Sequence, residues 1–287
     1  MSLREVIISA TRKVPAIPTA AARVSTVLQD PDVNISALSR AIEHDPALAA
    51  NVLRIANSIY FSGPRTVGTI KEAIMRLGTS RVFGLTLASA IAPVAGVAIK
   101  GYDLKPGELW QHSVSSAVCV DQLIETLALE APKYTFTAAL LHDIGKIVLG
   151  TFVEVDAAPI MDLAFKEGMP FEEAEMRVLG ISHPEVGAIL LENWNLPKIV
   201  VDAVRWHQQP DEYEGDTDQM IIDLVHAADA LSLIGGIGTG SDGLNYRVSK
   251  VVADRLGLNN AIAETVVMKM LDGLEEVKEL FGEDWGR

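Results

Sequence analysis

Cysteine is nearly absent: Cys119 is the only one in 287 residues, so no intramolecular disulfide can form and no oxidising compartment is required. It sits in an apolar helical pattern with Val114, Ala117, Val118 and Val120 and reads as a core residue. Aromatic residues make up only 6% of the chain, and long alternating β-branched runs are missing, which argues against a strand-rich fold. Positive charge is short as well. The 24 Lys and Arg stand against 38 Asp and Glu, a net charge of −14. Sequence-independent binding to a phosphate backbone comes mainly from Lys and Arg displacing counterions, and no basic run relieves the deficit, so non-specific nucleic-acid binding is not expected.

Met1-Ser2-Leu3-Arg4-Glu5 carries no charged region followed by an apolar core, so no secretory signal is expected and a cytoplasmic location is. One uncharged stretch, 82–99, approaches the roughly 20 residues a spanning helix needs. Gly84, Thr86, Ser89, Pro93 and Gly96 interrupt it, so the expectation is a buried helix that breaks near Pro93 rather than a membrane span.

What the chain does contain is helical. Hydrophobic residues make up 49% of it, with abundant Ala and Leu, and the spacing predicts an all-α, multi-helix bundle. Asn34 is placed to cap a helix carrying Ile35, Leu38 and Ile42, and Asp45-Pro46 opens another. Thr69 and Glu72 form a capping box for a helix that Gly78 ends. The polar, glycine-bearing stretch Gly101 to Gly107 is the expected boundary between two helical subdomains, 1–100 and 101–287. Further helices are expected from about Glu108 past Ile124, through His142, and over Asp156 to Lys166 and Phe171 to Leu179. Others follow from a Ser182 N-cap to Trp194, then over Ile199 to His207, Met220 to Leu233 and Ala261 to Phe281.

The run Ala138-Ala139-Leu140-Leu141 ends abruptly in His142-Asp143-Ile144-Gly145-Lys146. An imidazole nitrogen beside a carboxylate oxygen suits Fe, Mn or Zn rather than an all-oxygen calcium site. Five of the six histidines, His112, His142, His183, His207 and His226, fall in the second subdomain. Lys146 lies about one helical turn after Asp143, where its charge would face a phosphoryl group or simply complement a helix C-terminus. His183 also reads as the opening of a capped helix, His207 as a helix-end residue, and His226 as a core or supporting histidine. In the first subdomain, Arg54, Asn57 and Tyr60 are candidates for a partner-binding surface. Bracing of neighbouring helices is the competing role for Arg54 and Asn57.

Several blocks, in order, resemble the HDOD domain, a bacterial signalling output domain related to HD phosphohydrolases. They are Val14-Pro15-Ala16-Ile17-Pro18, the Asp45-Pro46-Ala47-Leu48 helix, Ala56-Asn57-Ser58, Gly63-Pro64 and Ile70 to Gly78. The resemblance extends to the helix containing Asp229. It implies a mononuclear metal set of His112, His142, Asp143 and Asp229, and it likens His183 and His207 to the extra ligands of two-metal HD-GYP phosphodiesterases. It also implies a regulatory module acting through a signalling protein or a small nucleotide ligand, with a retained or vestigial metal site around His142-Asp143, since the family is regarded as lacking demonstrated hydrolase activity. A metal-dependent phosphohydrolase is the alternative. The chain departs from the HD-GYP pattern: His207-Gln208-Gln209-Pro210 has no second histidine, and Gly-Tyr-Pro is absent. A glutamine is a poor transition-metal ligand, which disfavours a cyclic-dinucleotide phosphodiesterase.

Overall fold

A computed structural model describes residues 2–14, 19–28, 34–61, 63, 65–153, 155–243 and 246–281. It is all-helical, and among the described residues there is no strand, only a single backbone bridge between Ile99 and Leu104. The N-terminal part comprises α1 (Leu3–Thr11), α2 (Thr19–Leu28), α3 (Ile35–Glu43), α4 (Pro46–Ala56), α5 (Ile70–Leu77) and α6 (Thr79–Ala95). Then come α7 (Glu108–Leu127), α8 (Thr135–Leu141), the short α9 (Ile144–Ile147), a π-helical stretch Val148–Val153, α10 (Ala158–Glu167) and α11 (Phe171–Leu179). The chain closes with α12 (His183–Asn193), α13 (Lys198–Trp206), α14 (Gln219–Ile234), α15 (Lys250–Leu256) and α16 (Asn260–Phe281).

Local chemistry sets several of these starts. The Asn34 side chain accepts from Ala37 N–H, and Asp45 accepts from the N–H groups of Ala47 and Leu48 ahead of Pro46. Thr69 and Glu72 make both halves of a capping box, and Gly78 takes φ 81° to end α5. Ser2 and Glu5 form a second such box at the head of α1. The Pro15–Pro18 lead-in, the Asp30-Pro31-Asp32 break and Pro64 lie outside the described residues.

α7 is the central strut. It is buried on most of its circumference, from Leu109 through Val114 and Val118 to Leu123, and packs against α8, α14 and α16. Its small residues Ser113, Ser115 and Ser116 are buried along with its apolar residues, which lets neighbouring helices close on it from several sides. One apolar cluster continues from Ile7 in α1 to Val277 in α16. α1 itself crosses from the start of the chain to lie on α12 and the π-helical stretch, where Arg4 forks onto Glu185 at 2.6 and 3.1 Å. Cys119 is fully buried.

α6 ends at Ala95, two residues past Pro93, with Gly96 as its C-cap; a proline this close to a helix end removes only one hydrogen bond from the last turns. The stretch Gly101 to Gly107 begins in local structure. Lys100–Tyr102 forms a 3₁₀ turn, Ile99 and Leu104 exchange backbone hydrogen bonds at 2.9 and 3.3 Å, and Tyr102 is buried. The expected Ser182 cap is absent, since the Ser182 side chain caps nothing, and the His183 N–H at the head of α12 is instead taken by Glu175 from α11 at 2.8 Å. Among the described residues no helix is long and apolar enough to cross a membrane.

Candidate metal centre

Six potential ligands arrive from five places in the bundle. α7 supplies His112; the break between α8 and α9 supplies His142 and Asp143; His183 opens α12; His207 follows α13; and Asp229 projects from α14. Each is at most 2% exposed. The Nε2 atom of His112 lies 2.9 Å from Asp229 Oδ1, 3.2 Å from His142 Nε2 and 3.5 Å from Asp143 Oδ2. His142 Nε2 is 3.3 Å from Asp143 Oδ2 and 3.5 Å from Asp229 Oδ1. On the other side, Asp143 Oδ1 is 3.4 Å from His183 Nε2 and 3.8 Å from His207 Nε2. The ligand atoms of His112, His142 and Asp229 lie within 4.8 Å of one another, as do those of His142, Asp143 and His207.

The far sides of the rings explain this convergence. His112 Nδ1 faces Ile237 O at 3.1 Å, His142 Nδ1 faces Ala139 O at 2.7 Å, and His207 Nδ1 faces Val204 O at 2.7 Å. His183 Nδ1 faces Glu175 Oε2 at 2.8 Å. A carbonyl or carboxylate oxygen can only accept, so each Nδ1 carries the proton and each Nε2 is turned to the centre. Anchoring of this kind is how proteins orient metal-binding imidazoles.

Charge sets the second constraint. Burial opposes ionisation of His142, yet Asp143 and Asp229 outweigh it and push its pKa up to about 10. Burial likewise opposes His183, but Glu175 and Asp143 push it up to about 9. His207 goes the other way, down to about 3, through burial and the charge on His142. Asp143 and Asp229 stay well below the usual carboxylate range despite burial, chiefly because of His142. The carboxylates of Asp143, Asp229, Glu175 and Asp242 therefore face only one lysine, Lys146, and protons on two imidazoles make up part of the balance. A divalent cation would supply the same charge. Asp143 Oδ1 and His183 Nε2 face each other at 3.4 Å, at the long end of an ion pair, and neither has a further hydrogen-bond partner among the described residues, so both have capacity for another ligand. The donor set thus fits a nitrogen- and oxygen-ligated transition-metal ion.

Lys146 is not free. Its ammonium lies 2.6 Å from Asp143 Oδ2, pairs with Asp242, and sits 5.5 Å above the Tyr102 ring. Tyr102 in turn hydrogen-bonds Glu175. Gln208 donates its amide to Asp229 Oδ2 at 3.2 Å, so it braces a ligand. His226 accepts from Ser249 N–H through Nε2 at 2.8 Å and its Nδ1 lies 2.7 Å from His207 O, which places it behind the centre rather than in it. Beside the centre opens a cavity of about 400 Å³; Lys146, His183, Gln208 and Asp229 line its inner end, and Phe165 and Met169 line another part.

Gly145 accounts for how closely α9 approaches α12. A Cβ there would run into the His183 carbonyl and come within 2.7 Å of Gly187 N. Gly145→Ala is expected to lower the unfolding free energy by about 1–3 kcal/mol through overpacking. It should also displace His183 from Asp143, read as a lower metal stoichiometry in the folded fraction.

The partner-surface candidates lie apart from this centre. Asn57 is spent within the chain: its amide donates to Leu53 O at 3.0 Å and Val67 O at 2.9 Å, and its oxygen accepts from Val67 N–H at 2.7 Å. Tyr60 turns inward to Asp121 at 3.3 Å, while Arg54 is exposed and donates to Asn51 at 3.2 Å. Glu175, Tyr102 and Asp242 escape the sequence reading. For Glu175 a signal existed, since it shares the stripe of Phe171, Ala174, Val178 and Leu179 on α11, where a carboxylate is out of place unless it serves a partner.

The HDOD domain family profile matches residues 14–210, more than half of the chain. The chain belongs to the HDOD domain family. An HDOD domain protein of unknown function from Geobacter sulfurreducens shares 25% identity and superposes with a TM-score of 0.66, over 96% of this chain and 94% of that one. A candidate phosphohydrolase from Shewanella amazonensis has the same fold, with 24% identity, a TM-score of 0.66 and coverage of 95% and 98%. So does a candidate signal transduction protein from Marinobacter aquaeolei, with 22% identity, a TM-score of 0.69 and coverage of 96% and 60%. An uncharacterized protein from Treponema pallidum is 24% identical over 208 residues; the match takes in 70% of this HDOD chain and 39% of the length of that relative.

Proposed function

We propose that this HDOD chain is a signal-transduction module built around a divalent metal ion, working by binding a protein or a small nucleotide rather than by turnover. The observation that carries the reading is the pair of buried donor groups that share His142, one of His112, His142 and Asp229 and one of His142, Asp143 and His207, with each of these imidazoles anchored through its Nδ1. His112, His142, Asp143 and Asp229 would hold the ion, with His183 and His207 available on the other side of Asp143. When bound, such an ion would offer open positions to water or an anionic oxygen of a ligand. The chain's own part is to orient the imidazoles and present the centre beside the 400 Å³ cavity. Two features favour binding over catalysis. Lys146 is neutralised by Asp143 and Asp242, and position 208 carries an amide that braces Asp229.

A metal-dependent phosphohydrolase is the second reading, favoured by the open cavity beside a full donor set and by the name of the Shewanella protein. Elemental analysis after growth and purification with Fe, Mn or Zn decides the first step. Retention near one equivalent or above is expected, and a trace would overturn both readings. The loaded protein is then offered generic phosphodiesters, nucleotides and cyclic dinucleotides. No turnover above the Asp143→Ala background is expected; metal-dependent turnover lost in that variant would replace the signalling reading with the enzymatic one.

A further inference from the structure

The net charge of −14 is unevenly divided. Residues 1–100 carry 11 Lys and Arg against 6 Asp and Glu, a net of +5, while residues 101–287 carry 13 against 32, a net of −19. Part of the excess is used internally: Arg4 pairs with Glu185 and Arg81 with Asp121, both across to the acidic part. Arg23 on α2 and Arg40 on α3 are exposed, and neither has a carboxylate partner among the described residues. They flank a groove of about 530 Å³ between the two helices, with Ala22, Val27, Ala37 and Ala41 among its lining.

We propose that the α2–α3 groove docks an acidic amphipathic helix of a partner protein. The shape suits a third helix, since short side chains let a ridge settle between two existing helices. The rims suit glutamate or aspartate, because two guanidiniums with no carboxylate partner among the described residues face solvent in the part of the chain with positive net charge. A second copy of the chain fits less well, as two bodies of −14 repel one another on approach. Nucleic acid fits less well too: it would meet two arginines and an alanine floor where it needs a row of cations. Arg23 and Arg40 lie on helices that supply none of the proposed metal ligands, so the inference stands whichever reading of that centre holds.

The probe is a fluorescein-labelled synthetic helix with leucine at i, i+3, i+4 and i+7 and glutamate elsewhere, titrated with the full chain at physiological salt. Saturable binding is expected. Arg23→Glu with Arg40→Glu should weaken it about 10-fold or more, and Ala37→Trp, which fills the groove and keeps both arginines, should weaken it comparably. Lys71→Glu, a charge reversal at an exposed site on α5, should stay within about twofold. Circular dichroism confirms that each variant is folded. The proposal is overturned by the absence of saturable binding, or by an equal loss in Lys71→Glu, which would mean a diffuse field. It is also overturned if duplex DNA displaces the peptide with the same arginine dependence. Sedimentation of the wild-type chain that rises with concentration and is abolished by the double reversal would assign the groove to a second copy instead.

Discussion

The Asp143→Ala variant is expected to purify with no more than a trace of metal under conditions in which the wild-type chain retains a divalent ion. Asp143 is the residue whose two oxygens address both halves of the centre, Oδ2 toward His112 and His142 and Oδ1 toward His183 and His207. Loss of an outer partner alone typically weakens metal binding about 10–100-fold, so loss of a carboxylate shared between two donor groups should exceed about 100-fold. The same experiment has a stability readout. At a free metal concentration 100 times its dissociation constant, a native-state ligand adds about 2.7 kcal/mol, and that increment should vanish in Asp143→Ala. His44→Ala, at an exposed histidine after α3, should leave both measurements unchanged. Near-stoichiometric metal in Asp143→Ala would show that the centre lies elsewhere.

Why the sequence exposes some of this architecture and conceals the rest is a matter of range. Caps at Asn34, Asp45 and Thr69 are contacts over two or three residues, so residue type and spacing suffice to read them. The histidines and aspartates of the centre are rare residue types in an apolar setting, which draws attention to them individually. Their convergence is a tertiary fact, resting on chain separations such as the 117 residues between His112 and Asp229. The supporting residues are concealed for the same reason. Glu175 replaces the local cap that Ser182 was placed to provide, because a buried carboxylate gains more from a charge-assisted bond to His183 than a serine does from its own helix. Tyr102 lies in the stretch that reads as a boundary and Asp242 in a segment between helices; contact with Lys146, and for Tyr102 also with Glu175, gives them a role. The capping box of Ser2 and Glu5 at the head of α1 is equally local, a contact over three residues.

The role of Lys146 follows from its surroundings, and the Lys146→Met variant makes that role measurable. Placed after a short helical turn, the residue admits two readings, a cation at a helix C-terminus and a charge aimed at phosphate. The structure puts its ammonium between two carboxylates at 4% exposure, where neither reading describes its main interaction. Methionine fills the volume but leaves Asp143 and Asp242 buried without their cation. Removing one member of a buried ion pair costs about 3–5 kcal/mol, mostly the cost of the charge left behind. Urea unfolding of the chelator-treated protein should show a loss of that size. Adding Asp242→Asn should recover part of it, on the order of 1 kcal/mol, because the second substitution removes one of the stranded charges. A loss below about 1 kcal/mol, the range of a surface pair, would mean that the ammonium is not held by these carboxylates. It would then be free to meet a ligand's phosphate, and the phosphohydrolase reading would gain the cation that the present geometry denies it.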